Sequence, residues 1–261
     1  LNDMSSKKII IANWKQNGSL RSLQSLTSQI IKALKFKSIR HSVVILPPFV
    51  YLPILAKQVT SNKNLRNLSL GVQNVSAFSD GAYTGEVSYE MCKDFGSKYF
   101  LVGHSERRQV LLESDLLISK KVSRLLNHNK KVILCIGETL AERNKKLDKR
   151  VISRQLTSAL GNLSSKKKIK TSNIIIAYEP IWAIGSGKSA SSEDIHSAHN
   201  YIKRKLNMIF ESSKSLPKVI YGGSVNNTNS KEILSIEGVD GTLVGGASLN
   251  AKKFIEICSS I

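Results

Sequence analysis

A few short stretches of this sequence hold residue types that could move a proton and grip an anion. Glu179 follows directly on the apolar run Ile174-Ile-Ile-Ala-Tyr178. A carboxylate in that position has to be paired, or raised in pKa and ready to take a proton. His104 follows another apolar run, Tyr99 to Val102, and stands before an expected helix start, with Ser105 and Glu106 next in the chain. Asn13, Trp14 and Lys15 follow a third run. Two glycine pairs, in Tyr221-Gly-Gly-Ser-Val225 and Leu243-Val-Gly-Gly-Ala247, let backbone N–H groups come close to an anion such as phosphate. A carboxylate base, a histidine acid, a lysine and a phosphate grip suit proton transfer on a phosphorylated carbonyl compound.

Other motifs lose support on spacing. Gly187-Lys188-Ser189 ends like a P-loop, but Trp182 stands where the first glycine is needed. Gly103-His-Ser-Glu-Arg107 begins like a nucleophile elbow, yet Arg107 takes the place of its last glycine. His41, His128, His196 and His199 read as structural or exposed. The three cysteines, Cys92, Cys135 and Cys258, form no Cys-x-x-Cys pair, which argues against a disulfide framework or a zinc site. No metal or cofactor is expected. The N-terminal stretch lacks the apolar segment of a signal peptide, and Leu1 with Met4 close behind suggests an alternative start. Together these features predict a soluble cytoplasmic protein.

The elements that must hold these residues show as a repeating pattern. Eight β-branched runs occur: Lys8 to Ala12, Ser42 to Leu46, Leu68 to Val72, Tyr99 to Val102, Lys131 to Ile136, Asn173 to Tyr178, Pro217 to Tyr221 and Gly241 to Val244. Most are continuously apolar, the pattern of parallel strands buried on both faces. Between them the period becomes helical: Leu20, Leu23, Leu26, Ile30 and Leu34 after the first, and Ile195, Ala198, Ile202, Leu206 and Ile209 after the sixth. Ser191 with Asp194 three residues on marks the start of the latter helix. Eight such units in 261 residues predict a single-domain (β/α)₈ barrel over 1–261, with 1–7 as a flexible extension; an open doubly wound sheet is the alternative. In a barrel the loops after the strands form the catalytic face, where the polar residues above stand.

With 39 Lys and Arg against 19 Asp and Glu, the chain carries a net charge of +20. The pairs Lys7-Lys8 and Lys130-Lys131 and the stretches Lys145 to Arg150 and Lys166 to Lys168 lie far apart in sequence and lack interleaved aromatics. The reading is a spread, solvated charge with no specific nucleic-acid partner and no membrane; a basic barrel serving mainly to bind polyanions is the rival.

The segments Ala12-Asn-Trp-Lys-Gln-Asn-Gly18, Val102-Gly-His-Ser-Glu-Arg-Arg108, Cys135-Ile-Gly-Glu138, Ala177 to Ala190, Tyr221 to Val225 and Leu243 to Ala247 together resemble the triosephosphate isomerase family, in order along nearly the whole chain. The resemblance favours the barrel over the open sheet and implies interconversion of dihydroxyacetone phosphate and D-glyceraldehyde 3-phosphate through an enediolate, in glycolysis and gluconeogenesis. It implies Glu179 as base and His104 as electrophile, with Lys15 and Asn13 supporting the enediolate. Gly185, Ser224, Gly245 and Gly246 would hold the phosphate, and Pro180 to Ala190 would form a lid. It also pairs Glu106 with Lys15 and implies a homodimer built by the loop Gly81 to Ser88, with Tyr83 and Thr84 entering the partner and Glu86 meeting Arg107. Gln16 stands where methionine is more usual, and Ser186 and Ser189 replace frequent threonines of the lid.

Overall fold

Runs of β-branched residues favour extended backbone, and each run here is short enough to be one strand of a buried sheet. A computed structural model describes residues 7–62, 64–163, 169–184, 190–211 and 213–261. In it the runs form β1 (Ile9–Asn13), β2 (Ser42–Leu46), β3 (Leu68–Val72), β4 (Tyr99–Val102), β5 (Lys131–Ile136), β6 (Ile174–Tyr178), β7 (Lys218–Tyr221) and β8 (Gly241–Val244). Every neighbouring pair is parallel, and β8 pairs back onto β1, with Ile9 opposite Gly241, so the barrel closes. The open-sheet alternative is thereby excluded. Three strands differ from the expected limits by a residue at one or both ends: β1 runs from Ile9 to Asn13, β6 starts at Ile174 and β7 at Lys218.

Closure accounts for the lack of polar alternation in the strands. Ile9, Ile11, Val44, Leu46, Leu101 and Ile133 pack in one cluster, while their chain neighbours Ile10, Ala12, Val43, Ile45, Phe100 and Val132 belong to another that includes the helices. Apart from Ser69 and the first residues of β2, β5 and β7, both faces of the strands are dry, and burial of apolar area drives both.

The described helices are α1 (Leu20–Phe36), α2 (Leu52–Thr60), α3 (Tyr89–Asp94), α4 (Ser105–Gln109), α5 (Asp115–Asn127), α6 (Leu140–Asn144), α7 (Asp148–Leu160), α8 (Ser192–Ile209), α9 (Ser230–Ser235) and α10 (Ala251–Cys258). In α1 the buried stripe begins at Leu23, since Leu20 stays largely exposed at the mouth. Ser191 caps α8 as expected, its side chain accepting from the Asp194 N–H. The stripe of α8 also buries His199 completely. The ring meets Tyr178 edge-on, its Nδ1 lies 3.2 Å from the Gly238 carbonyl, and its Nε2 has no partner among the described residues. Burial pulls its pKa down to about 4.

Parallel closure also sorts charge. All strands start on the face opposite the polar loops, and the residues at those starts are Lys7 and Lys8, Arg40, Arg66, Lys98, Lys130 and Lys131, Lys170 and Lys218. At β8 an acid precedes the strand: Asp240, which is taken by Lys203 at 3.2 Å and by the Val219 N–H. Residues far apart in sequence are thus neighbours on one rim. The chain is uneven as well, for residues 4–79 hold eleven Lys and Arg and no Asp or Glu. Charge that is spread along the sequence is thus gathered in part at one rim, because a parallel barrel maps a sequence period onto a place. Lys166 to Lys168 lie outside the described residues.

Two outcomes are expected from this arrangement. His199 titrates near 4 when folded and near 6.5 when unfolded, so it contributes stability above pH 6.5 that is lost as pH falls towards 4. Urea unfolding at both pH values should show the wild type losing about 3 kcal/mol more than His199→Asn; equal losses would show that the ring does not titrate this way. The cationic rim should bind DNA or RNA weakly, without sequence preference, and lose that binding between about 50 and 200 mM salt. Fluorescence anisotropy with two unrelated oligonucleotides tests it; selective binding that survives high salt would contradict it.

Candidate active site

The strand ends deliver their polar residues into a cleft of about 540 Å³ at the mouth of the barrel, lined by Asn13, Lys15, His104, Glu179 and the two glycine loops. Each side chain is fixed by a neighbouring strand or turn rather than by its own element alone.

Glu179 leaves β6 with its N–H bonded to the Ile136 carbonyl and is only 2% exposed. Its Oε2 accepts from the Ser105 N–H at 2.9 Å. Its Oε1 lies 3.1 Å from His104 Nε2, yet the alignment does not make a hydrogen bond, and this buried oxygen has no partner among the described residues. Space for the residue depends on two glycines. A Cβ at Gly137 would collide with the Glu179 carbonyl, and one at Gly222 would stand 3.0 Å from its Cγ. Gln155 holds Gly137 from the other side, accepting from its N–H at 2.8 Å. Beneath the carboxylate, burial and the charge of Glu179 push the Cys135 thiol well above its ordinary value, so it stays protonated.

His104 follows Gly103, whose φ of +73° turns the chain out of β4. It caps α4, and its Nδ1 accepts the Glu106 N–H at 3.2 Å. A nitrogen that accepts cannot carry a proton, so the ring is the neutral tautomer with Nε2–H facing the cleft. Glu106 Oε2, 3.6 Å from Nδ1, is too distant to reverse that assignment. The ring can therefore donate to a carbonyl oxygen while remaining uncharged.

Lys15 has a φ of +51°, an uncommon state for a residue with a side chain. Three contacts hold it: its N–H donates to Asn13 Oδ1, its carbonyl accepts from Gln73 Nε2 at 2.9 Å, and its Nζ meets Glu106 Oε1 at 2.6 Å. The pairing of Lys15 with Glu106 is as expected, whereas no sequence motif points to Gln73. Gln16 is exposed and takes no part in this hold. Gly245 and Gly246 face Lys15 across the cleft, where a Cβ at Gly246 would meet nothing within 4 Å. That open space beside backbone N–H groups can take a phosphate.

The loop after Glu179 is anchored at both ends. Glu138, fully buried, accepts from the Tyr178 hydroxyl and from Trp182 Nε1, and Arg143 lies over the Trp182 ring at 4.4 Å. Burial raises the pKa of Glu138, only partly opposed by these donors. On the far side Ala190 N–H donates to the Tyr221 hydroxyl, and Ser224 Oγ donates to the Ala183 carbonyl. Ser224 so joins the glycine loop after β7 to the segment that follows Glu179. Gly185, Ser186 and Ser189 lie outside the described residues. Glu138 and Tyr221 stand within the sequence motifs, but the motifs assign neither a role; adjacent aromatic and acidic residues after strands are the available signal.

The loop Gly81 to Ser88 is found away from the cleft. Tyr83, 44% exposed, stacks on Phe78 at 4.3 Å, and Thr84 and Glu86 are exposed beside it. Within the chain Arg107 does not meet Glu86; its guanidinium bonds Glu113 at 2.7 Å, next to the buried Lys121.

The model of the family described as triosephosphate isomerase matches residues 8–261. A protein named triosephosphate isomerase from Legionella pneumophila (strain Lens) is 40% identical over 98% of this chain and 99% of its own length. Those of the same name from Hahella chejuensis and Francisella tularensis subsp. mediasiatica are 41% and 40% identical, each over 96% of this chain and at least 96% of the relative. The match thus takes in every strand of the barrel and each loop that lines the cleft, and this chain belongs to the triosephosphate isomerase family.

Proposed function

We propose that this chain, an isomerase by family, performs the interconversion of dihydroxyacetone phosphate and D-glyceraldehyde 3-phosphate with Glu179 as its base. The observation that carries the assignment of roles is the 3.1 Å approach of His104 Nε2 to a Glu179 oxygen that has no other described partner. A glutamate base beside a neutral histidine electrophile is the established description of catalysis in this family. Glu179 takes the proton from the carbon next to the carbonyl as His104 Nε2–H polarises the carbonyl oxygen. The electrons of the broken C–H bond form the C=C bond of an enediolate as the carbonyl π pair moves onto its oxygen. The neighbouring hydroxyl gives its proton to that oxygen and becomes the new carbonyl, and return of the carbon-bound proton from Glu179 to the former carbonyl carbon completes the exchange. Lys15 and Asn13 favour the negative oxygen, while Ser224, Gly245, Gly246 and Gly185 hold the phosphate. Ser105 and Glu106 position these groups. The enzyme serves glycolysis and gluconeogenesis.

The base assignment is tested by Glu179→Gln, which keeps the shape and removes proton acceptance. In a coupled assay the rate constant should fall by about 10² to 10⁴ or more with phosphate affinity retained. Near-normal turnover would remove Glu179 from the role.

The chain acts as a cytoplasmic homodimer in this reading. Three free, buried cysteines suit a reducing compartment, and no described helix is long and apolar enough to cross a membrane. The stacked Phe78 and Tyr83, both more than a third exposed, offer an aromatic pair for a second copy to bury. Each copy brings a charge of +20, so salt should promote association by screening long-range repulsion. A second copy's Glu86 would meet an Arg107 that already carries Glu113. Replacing Tyr83 and Thr84 together by Gly should give monomers of low activity in sedimentation and rate measurements. A fully active monomer at micromolar concentration, or a dimer indifferent to the change, would contradict this role of the loop.

A further inference from the structure

The charges around the cleft do not by themselves welcome a phosphate. Lys15 is bound to Glu106 at 2.6 Å, so their charges largely cancel, and Glu179 leaves the cleft negative. A phosphate monoester carries about −1.5 to −2 at neutral pH. One further cation lines the cleft among the described residues: Lys253, which shares the lining with Asn226, Gly245, Gly246 and Asn250.

Lys253 is exposed and sits in the first turn of α10. Among the described residues its Nζ has no ion pair and no hydrogen bond, and that first turn holds no acid. A cation at a helix N-terminus opposes the helix dipole, so its charge does not serve the stability of α10. The turn is nevertheless fixed, since Asn250 caps the helix by accepting the Lys253 N–H at 3.0 Å. The backbone of Lys253 is thus held while its ammonium is left uncommitted, at the glycine-loop side of the cleft.

We propose that Lys253 is a second cationic contact for the phosphate of the substrate, drawing the anion to the mouth and holding it against Gly245 and Gly246. This rests on the functional reading above. It separates two tasks: Lys15, tied to Glu106, keeps a fixed place beside Gly245, and Lys253 supplies the net charge that offsets Glu179. The contact is made equally before and during proton transfer, so it acts on KM rather than on kcat.

Lys253→Met should raise KM by about three- to tenfold with kcat within about twofold of the wild type. The dissociation constant for inorganic phosphate, measured by calorimetric titration, should rise by the same factor, and Lys253→Arg should restore both. Lys252→Met removes an equal charge one residue earlier, at an exposed position that does not line the cleft. It should leave phosphate affinity near the wild-type value. Unchanged phosphate affinity in Lys253→Met, or an equal loss in Lys252→Met, would overturn the proposal. A wild type that binds phosphate but does not isomerise triose phosphates would refute the functional reading alone, because the calorimetric comparison decides Lys253 independently.

Discussion

The buried carboxylate of Glu179 is the constraint on which the site depends. Removing an ion from water costs several kcal/mol even after the surroundings relax, and among the described residues no lysine or arginine pairs with it directly. What the fold supplies instead is a charge-assisted hydrogen bond from the Ser105 N–H and a close imidazole. One oxygen is satisfied, and the other is left without a hydrogen-bond partner among the described residues, beside the His104 ring. That division needs the backbone of β6 pressed against Gly137 and the side chain against Gly222, where any other residue would intrude. It also needs α4 to begin at Ser105, since the same turn that donates to Glu179 gives His104 its bond from Glu106. The Glu179 carboxylate and the His104 ring are therefore set by one short stretch of backbone, and neither can move without the other.

The barrel is legible in the sequence because continuous apolar runs at regular intervals suit few architectures besides a parallel sheet buried on both faces, and the limits of the runs match the strands to within a residue or so. Glu179, His104 and Lys15 are legible because a polar residue directly after such a run is conspicuous, and the family resemblance adds the roles. Other parts have no local signature. Gln73 reaches the Lys15 carbonyl across 58 residues and Gln155 reaches Gly137 across 18, so nothing near either glutamine in sequence announces its partner. His199 stands on the buried stripe of α8 because an imidazole edge packs against Tyr178, which periodicity among apolar residues does not count. Charge is misleading in sequence for a related reason: lysines far apart along the chain meet on one rim in space.

Closure of the barrel in fact divides the molecule electrostatically. At the mouth, most cations are matched, with Lys253 the exception: Lys15 with Glu106, Arg107 with Glu113, Arg108 with Asp115 and Arg143 with Asp194. At the opposite rim they stand largely without carboxylates. Matching at the mouth keeps side chains in one arrangement, which a site for chemistry requires, whereas an unmatched rim acts mainly through its long-range field. That field attracts anions without orienting them, and so adds charge and solubility more than specificity.

Lys15 shows how strain and pairing combine in this arrangement. A non-glycine residue at positive φ costs on the order of 1 kcal/mol, and a free lysine side chain would lose about 2 kcal/mol of rotamer entropy on being fixed. The pair with Glu106, whose side chain is half exposed, is worth too little in water to justify either cost as stability. The costs are met during folding by Asn13, Gln73 and the strands beneath them, before any substrate arrives. In the role proposed for Lys15, an ammonium already fixed beside the cleft need not be ordered in the transition state, and prior ordering of that kind lowers a barrier.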